Sequence, residues 1–227
     1  MGRTVEGIGP QRRKIKLHYT RHGEPQEYGN PDSPLSENGK QQIKTLTDEF
    51  IGELVKYENE NSLIIMSSRR IRALDSAIIA RSELEKAIRR GQLPYTTFDG
   101  FYAAPELEIV DPIKRLLELG FANPMSCWQV LSPEFLRHNK VLPPEDVVAK
   151  VEKFIGALRE TATIVGEGPE INILMFTHET VLGALVRKHF SPVAPVSIGH
   201  GEKLTVSLGE AIEYSFRGNS TVYEYPQ

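Results

Sequence analysis

Three short polar segments carry the side chains of this sequence that could do chemistry. They are Thr20-Arg21-His22-Gly23, Ser67-Ser68 with the arginines that follow it, and Thr177-His178. Each comes directly after a run that is apolar or alternates apolar with polar residues, which is typical of a β-strand. Ligands in parallel α/β sheets bind beyond the carboxyl ends of the strands. We therefore expect the three segments to meet at one edge of a sheet.

Histidines, arginines and a carboxylic acid at one site are the groups that phosphoryl transfer requires. The planar guanidinium of arginine matches the oxygens of a phosphate dianion. A neutral imidazole nitrogen can attack phosphorus and carry the group covalently, and nearby positive charges favour the neutral ring. A carboxylic acid must protonate the departing oxygen and later take a proton from water. Since arginines and a second histidine can hold the charge, no metal or other cofactor is expected.

The pattern around these segments predicts an α/β fold, a three-layer αβα sandwich with a mostly parallel sheet. Strands are expected at 15–19, 62–66, 96–103, 171–176, 203–208, 211–217 and 221–225, and helices at 36–54, 71–91, 113–119, 145–163 and directly after 178. Residues 1–13 are interpreted as a flexible arm. Residues 14–227 are interpreted as a single domain, with a mostly irregular insertion near 109–144 that would cover the substrate.

Size and composition exclude several classes of protein. A chain of 227 residues with 40% hydrophobic and 25% charged residues suits one soluble domain. The net charge of -3 argues against general nucleic-acid binding. No apolar run approaches the roughly 18 residues of a membrane helix. The only cysteine, Cys127, cannot form an internal disulfide. We expect a cytoplasmic protein with no nucleic-acid or membrane partner.

Four segments together resemble the histidine phosphatase superfamily, the phosphoglycerate mutase-like proteins. Residues 17–24, Leu-His-Tyr-Thr-Arg-His-Gly-Glu, resemble the superfamily signature. Residues 35–41 resemble its "L-T-x-x-G-x-x-Q" start of the first helix. Residues 67–77 resemble its "S-S-x-x-x-R-A-x-x-[ST]-A" block, and residues 176–181 its "[ST]-H-x-x-x-[IVL]" block. The order and spacing of these segments fit the superfamily from residue 15 to about residue 190.

The resemblance assigns a role to four residues. It implies that His22 is the histidine that becomes phosphorylated and that Arg21 binds the phosphate. It selects Arg72 as the second phosphate-binding arginine, in preference to its arginine neighbours, and His178 as the second histidine of the pocket. The implied fold agrees with the one expected from the strand and helix pattern.

The proton donor of this superfamily is usually a glutamate between the second and third blocks. Two glutamates, Glu106 and Glu108, lie there at alternate positions of an extended segment. Glu108 is slightly favoured, and Glu106 remains an alternative.

The sequence also departs from the superfamily pattern. The "x-G-x-x-E-G" sequence that often follows the donor is missing, as are the Tyr-Gly-rich and Phe-Thr-Gly-Trp segments typical of cofactor-dependent phosphoglycerate mutases. Their absence argues against glycolytic mutase activity. Glu179 follows His178 where glycine is frequent, which predicts a less open or more acidic rim of the pocket.

The remaining histidines and the cysteine have simpler interpretations. The histidines at 18, 138, 189 and 200 are expected to be structural or solvent-exposed. Cys127 and Trp128 are expected to pack in the interior, and no arginine lies six residues after Cys127 as in the loop of cysteine phosphatases. A G-x-S-x-G elbow, a P-loop, a G-x-G-x-x-G motif and a complete H-E-x-x-H motif are all missing.

The function expected from the sequence is metal-independent hydrolysis of a phosphomonoester, with a small phosphorylated metabolite as substrate. In this interpretation His22 attacks phosphorus, and Arg21, Arg72 and His178 hold the phosphoryl oxygens. The alternatives are a phosphomutase and a catalytically inactive module that binds a phosphate ligand or a protein. A homo-oligomer remains open.

Overall fold

A mixed sheet forms the centre of the molecule. The computed structural model describes residues 13–28, 30, 32–56, 60–94, 96–103, 118, 120–121, 127–165, 168–190 and 197–224. The strands are β1 Ile15–Arg21, β2 Asn61–Ser67, β3 Thr96–Ala103, β4 Glu170–Thr177, β5 Lys203–Leu208, β6 Ile212–Phe216 and β7 Asn219–Tyr223. The helices are α1 Glu37–Leu54, α2 Ile71–Arg89, α3 Pro133–His138, α4 Pro144–Val165 and α5 Glu179–Phe190.

The strand order places the three polar segments side by side. Among the described residues the order is β3-β2-β4-β1-β5-β6-β7. The first four strands are parallel, and the three tail strands extend the sheet in antiparallel pairs beyond β1. Because β2, β4 and β1 are parallel neighbours, their carboxyl ends meet at one edge. The predicted α/β sandwich is therefore confirmed, with its parallel part confined to the four strands of the α/β half.

Two hydrophobic cores hold helices against opposite faces of this sheet. On β4, Ile173 and Met175 pack into one core, whereas Leu174 and Phe176 pack into the other, since successive strand side chains point to opposite faces. Residues of α4 and α5 complete the first core, and residues of α1 and α2 complete the second. Burial on both faces explains why β2 and β4 read as continuous apolar runs rather than as alternating ones.

Helix boundaries follow local capping signals. Ser36 precedes α1, and its side chain accepts a hydrogen bond from Gly39 N at 2.9 Å, as an N-cap residue does. Just after the C-terminal end of α2, Gly91 has a φ of +70°, a left-handed conformation that glycine adopts without strain. Both helices were expected from apolar spacing, and both are confirmed.

The predicted insertion is partly described. Cys127 and Trp128 are buried in the first core, as expected, and Trp128 Nε1 donates to Leu142 O at 2.9 Å. The sequence predicts mostly irregular structure here, yet α3 forms: Ser132 caps it by accepting from Phe135 N at 3.2 Å, with proline at the first helical position. The expected arm at 1–13, except residue 13, and the expected helix at 113–119, except residue 118, lie outside the described residues.

No helix in the described part of the chain is both long enough and apolar enough to span a membrane.

His18 is buried in the sheet beneath α1, which confirms its expected structural role. Its Nε2 lies 3.1 Å from Asn172 Oδ1, and because an amide oxygen only accepts, Nε2 carries the proton. Its Nδ1 lies 3.3 Å from Thr205 Oγ1. Burial, followed by the charge of Lys203, lowers the pKa of His18 from 6.5 to about 3. The folded protein therefore holds this imidazole neutral.

Folding stability should fall on acidification partly because of His18. Between pH 6.5 and 3 the unfolded chain binds a proton at this side chain that the folded chain does not, so the contribution is complete above pH 6.5 and is lost as the pH falls. In His18→Gln, the slope of the unfolding free energy against pH, measured by denaturant titration between pH 6 and 4, should be smaller by about 1.4 kcal/mol per pH unit. The exposed His138→Gln serves as control. An unchanged slope in His18→Gln would contradict the buried, neutral assignment.

Candidate active site

The ends of three parallel strands bring the predicted site residues together. Just beyond β1, His22 N donates to Thr177 O at 3.0 Å, and just beyond β2, Ser68 N donates to Phe176 O at 2.9 Å. Both loops are thus fastened to the end of β4, the strand that leads into His178. The convergence expected from the sequence follows from this register.

Two hydrogen bonds determine which nitrogen of His22 is basic. Its Nδ1 lies 2.7 Å from the Gly23 carbonyl oxygen, which can only accept, so Nδ1 carries the proton. Nε2 therefore presents a lone pair, and Arg72 Nε donates to it at 2.8 Å. The ring is buried, and burial, then His178 and Arg72, lower the pKa of His22 well below 6.5. The result is a neutral imidazole with a lone pair on Nε2, the form required for attack on phosphorus.

His178 faces His22 at the same edge. The two ring centroids are 5.2 Å apart, with ring planes at 65°. His178 Nε2 lies 2.8 Å from Ser68 Oγ, while its Nδ1 is buried without a hydrogen-bond partner among the described residues. Burial, followed by the charges of Arg72 and Arg70, lowers the pKa of His178 to about 3. Burying a polar nitrogen without a partner is costly, so this nitrogen is well suited to bind a ligand.

The hydroxyl of Ser68 orients the proton of His178. Ser68 Oγ accepts a long hydrogen bond from Arg70 N at 3.4 Å. Among the described residues His178 Nε2 is the only hydrogen-bond acceptor for its hydroxyl proton, so the hydroxyl donates to Nε2. With Nε2 as acceptor, the ring proton of His178 resides on the unpartnered Nδ1. The site therefore contains two neutral imidazoles that both carry their proton on Nδ1. The Nε2 lone pair of His22 accepts from Arg72, whereas the Nδ1–H of His178 has no partner among the described residues.

The two predicted arginines are placed differently. Arg72 lies in the first turn of α2, is 7% exposed and contacts the His22 ring directly. Arg21 donates through Nη1 to the Ile198 carbonyl, and its Nη2 is 3.2 Å from a Glu179 carboxylate oxygen. Its Nε is buried without a hydrogen-bond partner in the described part of the chain. The acidic side chain after His178 thus pairs with an arginine of the site.

Two glycines allow the loop after β1 to lie against α1. A Cβ on Gly23 would come within 2.9 Å of the backbone carbon of Gly39, and a Cβ on Gly39 within 2.7 Å of Glu24 N. Such distances are too short for real side chains, so the two backbones touch. On the other side, Gly23 N donates to Ser76 Oγ of α2 at 3.2 Å. Both helices therefore fix the carbonyl that selects the tautomer of His22.

Neither a protein-family model nor a curated protein sequence matches this chain. Solved structures resemble it over nearly its whole length. A phosphoglycerate mutase from Bacillus anthracis str. Sterne has a TM-score of 0.54 at 17% identity, covering 95% of this chain and 94% of that one. A mycobacterial glucosyl-3-phosphoglycerate phosphatase has a TM-score of 0.54 at 18% identity over 86% and 91%. Mycobacterial hydrolase 2 has a TM-score of 0.56 at 16% identity over 93% and 94%.

The chain has the phosphoglycerate mutase-like fold. The resemblance inferred from the motifs is thereby confirmed at the level of the fold. Within this phosphoglycerate mutase-like fold, Arg21, His22, Arg72 and His178 are brought together at one sheet edge. Glu106 and Glu108 lie outside the described residues, so the identity of the proton donor stays a prediction.

Sequence reasoning missed His200 as a residue of this site. Its ring centroid is 5.8 Å from that of His22. The strand pairing explains its position: β5 is antiparallel to β1, with Lys203 opposite Thr20. The residues that precede an antiparallel strand lie at the end where its neighbour finishes. Without knowing that β5 pairs with β1, however, the sequence alone could not place residue 200 beside residue 22.

Gly39→Ala should disturb the site through backbone contact alone. The added Cβ cannot fit beside Glu24, so the loop of His22 must move, with an expected loss of about 1–3 kcal/mol in the free energy of unfolding. Gly52→Ala is the matched control, because a Cβ on this glycine of the same helix meets nothing within 4 Å. It should be neutral or stabilising by up to about 1 kcal/mol. Equal stabilities of the two variants in chemical denaturation would contradict the proposed close approach.

Ser68→Ala should release the tautomer of His178. The ¹⁵N chemical shifts of His178 are expected to change from a single Nδ1–H form to a mixture. Any activity that depends on its N–H should fall about 5–10-fold, as expected for one lost hydrogen bond. Ser67→Ala is a suitable control, since Ser67 Oγ donates to the Ser68 carbonyl at 2.8 Å rather than to a histidine. Unchanged ¹⁵N shifts in Ser68→Ala would show that the hydroxyl does not select the tautomer.

Proposed function

We propose that this protein is a histidine phosphatase that hydrolyses phosphomonoesters through a phosphohistidine on His22. The observation that carries the proposal is the state of the His22 ring. Its Nδ1 donates to the Gly23 carbonyl, so its Nε2 holds a lone pair beside Arg72 at 2.8 Å. An imidazole in this tautomer can attack phosphorus without prior loss of a proton, once Arg72 Nε has exchanged its hydrogen bond to Nε2 for one to a phosphoryl oxygen.

The first half-reaction moves the phosphoryl group onto His22. Nε2 attacks phosphorus while the bond to the leaving oxygen breaks, and that oxygen takes a proton from Glu108 or, alternatively, Glu106. Arg72, Arg21 and His178 hold the phosphoryl oxygens with fixed donors, which stabilises charge developing in the transition state. The phosphorylated ring is cationic, and the Gly23 carbonyl that accepts from Nδ1 stabilises that charge.

The second half-reaction returns His22 to its starting state. Water attacks phosphorus, the bond to Nε2 breaks, and the same carboxylate takes the proton of the water. Inorganic phosphate leaves, and the Nδ1–H of His22 is retained throughout. Guanidinium groups and an imidazole N–H supply the stabilisation of charge, so the mechanism requires no metal ion.

Two similarities support hydrolysis of a small substrate. The four motifs of the superfamily occur in order, and the fold matches that of a mycobacterial glucosyl-3-phosphoglycerate phosphatase. That protein is named for a phosphorylated metabolite, and we propose the same class of substrate, a small phosphate monoester, for this chain.

Hydrolysis of a chromogenic phosphate ester should proceed in excess chelator and should be lost in His22→Ala. Arg72→Ala should lower the rate by about 10²–10³, the usual effect of one transition-state donor. The exposed His138→Ala provides the control for histidine removal. Rapid quenching with a radiolabelled substrate should trap label that is stable in alkali and lost in acid, as expected for a phosphohistidine.

Two results would contradict the proposed function. One is activity that requires an added metal ion, and the other is activity that survives in His22→Ala. Release of free phosphate should account for all substrate consumed, whereas retention of the phosphoryl group on an isomeric product would identify a mutase.

A further inference from the structure

A third imidazole lies beside the ring of His22. The ring of His200 lies 5.8 Å from that of His22, centroid to centroid, with ring planes at 47°. Its Nε2 is shielded from solvent and has no hydrogen-bond partner among the residues that the structure describes. Buried polar nitrogens in native proteins are nearly always hydrogen-bonded. An unpartnered one beside the nucleophile is therefore suited to a ligand atom.

The backbone around His200 is fastened to Arg21. Arg21 N donates to Glu202 O at 3.0 Å, and Gly201 N donates to Arg21 O at 3.1 Å. The guanidinium of Arg21 also donates to the Ile198 carbonyl. Residues on both sides of His200 are thus bound to the arginine next to His22 in sequence, which fixes the position of the ring relative to the nucleophile.

The same loop is held from its outer side by an ion pair. Glu202 accepts two hydrogen bonds from Arg217, each of 2.7 Å, and one from Gly199 N. Arg217 in turn donates to Ser197 O at 2.8 Å. Gly201 has a φ of +76°, which allows the sharp turn directly after His200. These contacts build the loop before any ligand binds, so little ordering is needed on binding.

The charges around His200 set its protonation state. Burial, followed by Arg21, lowers its pKa to about 4, although Glu24 acts in the opposite direction. At neutral pH the ring is uncharged and carries one N–H. Tyr28 is also close to this ring, with ring centroids 6.0 Å apart, and donates its hydroxyl to Glu24 at 2.9 Å. The ring is therefore close enough to both the guanidinium of Arg21 and the carboxylate of Glu24 for each to act on its pKa.

We propose that His200 is a further substrate-contacting residue, whose Nε2–H donates a hydrogen bond to an oxygen of the phosphoryl group on its way to His22. This inference rests on the proposed function, because it takes a phosphate ester as the ligand. Phosphate dianion between Arg21 and Arg72 favours the Nε2–H tautomer of His200, since only that tautomer offers a donor from the buried nitrogen. His178 and His200 then provide neutral N–H donors that complement the charged arginines.

Binding of inorganic phosphate, measured by calorimetry, tests the contact directly. Phosphate should bind about 10–100-fold more weakly to His200→Phe, which keeps the ring size and removes the donor, as expected for a lost hydrogen bond to a charged group. His200→Gln keeps an N–H donor and should recover part of the affinity. His138→Gln should bind phosphate as the wild type does. The thermal unfolding midpoint and ¹⁵N shifts of His22, measured in parallel, should be unchanged in His200→Gln.

Binding and turnover together separate this inference from the proposed function. Wild-type affinity for phosphate in His200→Phe would overturn the contact, even if the enzyme hydrolyses esters as proposed. Conversely, the wild type could bind phosphate more tightly than His200→Phe and yet turn over no ester. That result would support the contact and overturn the phosphatase assignment. Absence of phosphate binding in the wild type would overturn the contact, whereas the turnover assay decides the phosphatase assignment.

Discussion

The hydrogen bond from His22 Nδ1 to the Gly23 carbonyl is the constraint on which the rest of the site depends. It assigns the ring proton to one nitrogen and leaves the lone pair on the other, facing Arg72. That carbonyl can hold its place only because the loop backbone lies directly against Gly39 of α1 and is tied to Ser76 of α2. The packing of two helices on the sheet therefore fixes the tautomer of His22.

Neutral histidines among arginines give the pocket its electrostatic character. Burial and the nearby guanidinium groups lower the pKa values of His22, His178 and His200 alike. The positive charge therefore resides on the arginines, which cannot act as acids or nucleophiles at neutral pH. Glu179 pairs with Arg21 and offsets part of that charge. A phosphoryl dianion would find charged donors and neutral N–H groups already in place, which is the preorganisation that electrostatic catalysis requires.

Much of this arrangement could be predicted because it follows from local rules. Buried apolar runs indicated β2 and β4, and the spacing of Ile43, Leu46 and Phe50 indicated α1. Other features depended on partners distant in sequence. Whether a histidine is structural, as His18 is, or lies in the site, as His200 does, is set by which strand pairs with β1. The helix α3 was not predicted from the sequence because its N-cap serine and its proline lie in a segment without clear apolar spacing.

The sequence by itself determined the strand-end motifs and the elements that carry them, since these depend on residue types at fixed spacing. The choice of Arg72 over its arginine neighbours was implied by the resemblance to the superfamily. Only the tertiary structure decided which nitrogen of His22 carries the proton, that Glu179 pairs with Arg21, and that His200 lies beside His22. Those outcomes depend on distances of a few ångströms between segments far apart in the chain. Such distances arise from strand register and helix packing, which residue spacing does not encode locally.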